Sequence, residues 1–97
     1  MISRRKYPVF ILFNGRVFNE IRISSHYEKK HSRYMSDELI LGLVKRLNRE
    51  NAVIQKRTAD WNYFELNREH QGKLYRLILC TSDLESFIGV VNCYRSK

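Results

Sequence analysis

Acidic residues are scarce and scattered. Ten stand against eighteen lysines and arginines, and they form no obvious carboxylate cluster of the kind that holds magnesium. Cysteine is nearly absent: Cys80 and Cys93 lie far apart in apolar, strand-like contexts and read as reduced core residues, bridged only if neighbouring strands set them side by side. His26 and His31 are five apart, which is not the spacing of a helical zinc pair. There is no glycine-rich phosphate loop and no G-x-S-x-G elbow. No apolar run approaches a membrane span. The run behind the basic start ends at Asn14-Gly15, too soon for a secretory h-region. These absences disfavour a metal-dependent nuclease and a membrane partner. They lead to an expectation of no metal and no cofactor, with cytosolic synthesis as the default.

What is abundant is positive charge. The formal net charge is +8 and the sequence pI about 9.8, which favours a polyanionic partner, nucleic acid ahead of anionic membrane. An apolar share of 43% with 12% aromatics marks a globular chain rather than a disordered tail. Residues 1–97 are expected to make a single domain.

Tyr7 to Phe13 is dense in apolar, aromatic and β-branched residues and reads as a strand buried on both faces. Pro8 has no N–H and belongs at its start or on an edge. Asn14-Gly15 is the strongest short hairpin signal, and the return strand runs from Arg16 to Ile23. Its alternation puts Val17, Asn19, Ile21 and Ile23 on one face, and Phe18, Glu20 and Arg22 on the other. Ser25-His26-Tyr27-Glu28 matches a capping box and predicts a short helix from His26 to Arg33. Ser36-Asp37-Glu38 opens a second helix, with Leu39, Ile40, Leu43, Val44 and Leu47 as its apolar stripe. Asn51 to Asp60 reads as a connector. Trp61–Asn67, Leu74–Thr81 and Phe87–Arg95 are three strand-like runs with short links. The expected fold is therefore α+β: an N-terminal β-hairpin, two helices, then a three-stranded antiparallel meander, with the helices packed on one sheet face.

Polar chemistry concentrates between Ser24 and Tyr34, which hold two of the three histidines, two tyrosines, two lysines and an arginine. RNA can be cut without a metal when the 2′-hydroxyl attacks its own phosphate. That needs a base, an acid for the leaving 5′-oxygen, and cations to hold the charge that builds up. Histidine, with a pKa of about 6.5, suits the proton transfers. His26, Lys30 and His31 supply such a set on one segment. Lys29 and Arg33 flank it, and Arg76, Thr81, Asn92, Tyr94 and Arg95 offer donors from later strands. Each has a plainer explanation. The histidines fit a helix surface, Lys29, Lys30 and Arg33 a solvated face, and Tyr27 and Tyr34 packing. His70, between Glu69 and Gln71 in a turn, is expected to be structural.

Several short motifs resemble one family. They are the Ser-x-His helix start after a hairpin, the Leu-Ile-x-x-Leu-Val helix, and Gly72-Lys73-Leu74-Tyr75-Arg76-Leu77-Ile78-Leu79 leading to Gly89-Val90-Val91-Asn92-Cys93-Tyr94-Arg95. Together they are similar to the barnase/EndoU/colicin/RelE-like superfamily of small bacterial ribonuclease toxins. The resemblance spans nearly the whole chain in element order, although the N-terminal hairpin is not part of that minimal scaffold. It implies metal-independent RNA cleavage on a sheet face. By position, His26 matches a helix-start histidine of some branches, and Tyr94-Arg95 the polar end of the last strand. On this view His26, Lys30, His31 and Tyr94 are catalytic. Lys29, Arg33, Arg76, Asn92 and Arg95 bind substrate, RNA is the partner, and an acidic antitoxin or immunity protein covers the basic face. A non-catalytic nucleic-acid-binding module uses the same cations and aromatics, and a regulatory domain on the same fold is the third reading.

Overall fold

In the structure, a computed structural model that describes residues 4–24, 28 and 35–96, Asn14 and Gly15 have φ of 51° and 76°. These are the two left-handed residues that a type I′ turn requires. The turn joins β1 (Arg4–Phe13) to β2 (Arg16–Ser24). β1 is not buried on both faces as its composition suggests. Ile11 and Phe13 are buried, while Phe10 is 76% exposed and Leu12 37%, because these two alternate onto the side of the strand away from the core that Ile11 and Phe13 join. The register shifts between Pro8 and Ile11. On β2 both Phe18 and Ile21 are consequently buried although they are three residues apart, and Val17 faces out. That irregularity overturns the simple alternation read from the sequence.

Ser36 opens α1 (Asp37–Lys45), its hydroxyl accepting from the Leu39 N–H at 3.2 Å. Asp37 and Glu38 lie in the first turn and Lys45 in the last, each sign at the helix end it stabilises. The helix stops at Lys45, and Arg49, at φ 71°, turns the chain back toward β1. Ile40, Leu43, Val44 and Leu47 are fully buried, in one cluster with Phe13, Phe64, Leu77, Leu79 and Ile88. Each such side chain contributes about 1.5–3 kcal/mol by leaving water. Of the two helices expected, α1 is the second. The first, His26 to Arg33, lies outside the described residues apart from Glu28.

The remaining strands are β3 (Lys56–Thr58), β4 (Trp61–His70), β5 (Lys73–Ser82) and β6 (Phe87–Ser96). Gln71 and Gly72, at φ 52° and 77°, form the tight turn between β4 and β5. The expected three-stranded meander is corrected to a six-stranded mixed sheet in the order β1-β2-β6-β5-β4-β3. Two facts make the difference. The connector contains β3, which pairs antiparallel with β4. In addition β2 pairs in parallel with β6, setting Ile21 beside Ile88 and Ile23 beside Val90. All four are buried, so the parallel pair merges two apolar strands into one core face, and the hairpin becomes part of the sheet. The other strand pairings among the described residues are antiparallel, and an isolated parallel bridge joins Phe13 to Glu50.

One sheet face carries Phe64, Leu77, Leu79, Val90 and Cys93, which join α1 in the core. Cys80 and Cys93 are both buried, and neither is in a disulfide. Their strand partners are Gly89 and Leu77, so the two sulfurs are not set side by side. No described helix is long and apolar enough to cross a membrane.

Candidate nucleic-acid interface

Because Leu77 and Leu79 point to the α1 side, strict alternation sends Arg76 and Ile78 to the opposite, open face. The β5–β6 register then sets Arg76 directly across from Tyr94, and Ile78 across from Asn92. On the other side, β4 sets Asn67 beside Arg76 and Glu65 beside Ile78. Three of the expected site residues, Arg76, Asn92 and Tyr94, are thus brought to one corner of one face.

The corner is polar and partly charged. Arg76 donates from Nη1 to Glu65 Oε1 at 2.9 Å and from Nε to Asn67 Oδ1 at 3.2 Å. These two bonds hold the guanidinium between β4 side chains without consuming all its donors. The pair is partly exposed, so it orients Arg76 more than it stabilises the fold. Asn92 Oδ1 accepts from the Cys93 N–H at 2.9 Å, which fixes the side-chain amide. Among the described residues its Nδ2 has no acceptor. The register shift on β6 between Val90 and Asn92 is what aims Asn92 here, a common use of a bulge beside a site.

The other expected residues fall elsewhere. Arg95 is opposite Tyr75, a buried residue of the α1 side, so it does not share a face with Tyr94. Thr81 is 3% exposed and its Oγ1 accepts from Asn62 Nδ2 at 3.4 Å, which removes it from reach of a substrate on the open face. His70 packs edge-on to Tyr75, ring centroids 6.5 Å apart. His26, Lys29, Lys30, His31 and Arg33 lie outside the described residues. Where the chain leaves the sheet toward them is defined: β2 ends at Ser24, one residue past the Ile23–Val90 pair and beside the strand that carries Asn92.

The open face also holds residues the sequence reading did not single out. Trp61 and Phe87 meet edge to face with centroids 5.9 Å apart, and the Arg22 guanidinium lies 3.9 Å over the Phe87 ring. Glu20 binds Arg22. Beside Ile78, Gln55, Lys56, Thr58, Tyr63 and Glu65 line a groove of about 490 Å³. The signal for Trp61 and Tyr63 was present as alternation with buried Asn62 and Phe64, but no rule told which face would stay open.

A second network stands at the far end of the sheet, on the α1 side. Arg57 binds Asp83 and Asn62, and Asn62 Nδ2 also reaches Asp83 Oδ1 at 2.9 Å. The Arg57 guanidinium, then the Asn62 amide, hold the Asp83 carboxyl below the usual carboxylate range. Every polar partner there is a neighbour in the fold, which suits a structural clamp on the β3–β4 and β5–β6 turns. Among the described residues no three histidine, cysteine or acidic side chains gather as a metal site.

No family model, curated protein or solved structure matches the chain.

Proposed function

We propose that the chain is a metal-independent ribonuclease of bacterial toxin type that holds RNA against the open sheet face. The observation that carries this reading is the juxtaposition of Arg76, Asn92 and Tyr94 on that face, beside the strand end that leads to His26 and His31. In the proposed reaction one histidine removes the 2′-hydroxyl proton, and the oxygen attacks the adjacent phosphorus. The bond to the 5′-oxygen breaks, and the second histidine protonates that oxygen. The products are a 2′,3′-cyclic phosphate and a free 5′-hydroxyl. Lys30, Arg76 and the Asn92 amide stabilise the charge on the phosphate oxygens, with Tyr94 as a further donor. Lys29, Arg33 and Arg95 add long-range attraction for the polyanion. An acidic inhibitor protein would complement the same charge.

The test is incubation of the purified protein with total RNA in EDTA, alongside His26→Ala and His31→Ala. Cleavage that persists in EDTA and falls by at least about a hundredfold in a histidine variant supports the reading. An uncut pool with wild type sinks it. A binding module without cleavage is the second reading, favoured by the aromatic side chains of Trp61 and Tyr63 on the same face. Salt-sensitive binding without product would select it.

A further inference from the structure

The groove beside Ile78 owes its existence to the shortness of β3. β3 covers β4 only from Trp61 to Tyr63, so from Glu65 onward β4 is itself the edge of the sheet. Lys56 is the direct cross-strand partner of Tyr63, which puts ammonium and phenol on the same side. Ile78, half-buried between Glu65 and Asn92 on the neighbouring strands, forms an apolar floor. Among the described residues the one acidic lining group, Glu65, is already paired with Arg76. The groove therefore combines an aromatic ring, an apolar floor, a cation and the polar Gln55 and Thr58. Its volume of about 490 Å³ lies in the range, roughly 300–1,000 Å³, that small ligands occupy.

From this we infer that the groove is a subsite for one unstacked base of single-stranded RNA, with Tyr63 as its stacking platform and Lys56 holding a neighbouring phosphate. This rests on the proposed function and deepens it. The Glu65–Arg76 pair and the Ile78–Asn92 pairing make the groove continuous with the Arg76–Asn92–Tyr94 corner, so a strand bound at that corner places its next nucleotide over Tyr63. A π-face suits every base, which makes the subsite tolerant of sequence. A base locked in a duplex cannot reach it.

The experiment is fluorescence anisotropy with labelled octamers of 2′-O-methyl uridine or adenosine, which cannot undergo 2′-attack, so binding is read without cleavage. Tyr63→Ala is expected to weaken binding of both octamers about tenfold, as loss of one stacking ring does, and Tyr63→Phe to stay within about twofold of wild type. Lys56→Ala, at an exposed edge position that leaves the fold intact, is expected to flatten the slope of log K against log salt by about 0.7. Wild-type affinity in both Tyr63→Ala and Lys56→Ala, with Arg76→Ala weakened, overturns the subsite while leaving the proposed function standing. Equal affinity for a duplex of the same length overturns base stacking. Failure of the wild-type protein to bind either octamer overturns the subsite together with the RNA reading.

Discussion

The Tyr7 hydroxyl donates to Asp37 Oδ2 at 2.5 Å, tying β1 to the first turn of α1. Arg5 binds the same carboxylate, with its Nη2 2.8 Å from Oδ1, and reaches Glu28 at 2.5 Å. One acidic side chain thus serves the helix N-terminus and two groups of the edge strand, which fixes how α1 sits across the sheet.

That geometry makes Asp37→Ala more damaging than Tyr7→Phe, because the first removes a partner of Arg5 as well as that of the phenol. The bond to Asp37 raises the Tyr7 pKa above its ordinary value near 10. A folded-state pKa above the unfolded one gives stability that is fully present below pH 10 and lost as pH rises through the folded value. Thermal melts between pH 8 and 12 should show wild type losing more than Tyr7→Phe over the alkaline part of that range. Parallel curves would contradict the coupling.

Asp83 has the opposite sign. Its pKa is held below 3.8 by the bond from Arg57 first and Asn62 second. The contribution is therefore present above about pH 4 and disappears as pH falls through the lower, folded value. Denaturant midpoints measured from pH 6 to pH 2 should fall more steeply for wild type than for Asp83→Asn. An equal acid limb in both would show the carboxylate to be uncoupled from folding.

Gly89 lies under Cys80. A Cβ at Gly89 would stand 2.7 Å from the Cys80 sulfur, and both residues are buried. Gly89→Ala should cost about 1–3 kcal/mol by overpacking. Cys80→Ala in the same chain should restore part of it, a coupling a double-mutant cycle reads directly. Additive losses would place the strain elsewhere.

Burial pushes the Cys93 thiol up to about 12, and Cys80 is 5% exposed. At pH 8 a disulfide-exchange reagent should therefore find no fast-reacting thiol in the native protein and two in denaturant. A rapid native thiol would contradict the packing around β5 and β6.

Local signals in the chain were reliable where they act on neighbours in sequence. Asn14-Gly15 specified its turn, Ser36 its cap, and Leu74 to Thr81 a central strand. Choices of partner were not legible. Nothing in Ile21 and Ile23 names Ile88 and Val90 as their neighbours, since period-two alternation states which side is apolar and not which strand lies alongside. β3 was hidden for a similar reason: Lys56, Arg57 and Thr58 are exposed and held by backbone pairing with β4. Phe18 was assigned the wrong face because one register shift reverses every residue beyond it. In the site, Asn92 and Tyr94 are two apart in β6 and share a face, as period-two alternation requires. Arg95 looked like their companion only because adjacency in sequence says nothing of the face.

The central claim is RNA cleavage by 2′-hydroxyl attack. The most direct measurement pairs one RNA with the DNA of identical sequence, both in EDTA, and reads the ends of any product. The account predicts RNA fragments ending in 2′,3′-cyclic phosphate and intact DNA. Cleavage of both strands alike, or of neither, would contradict it.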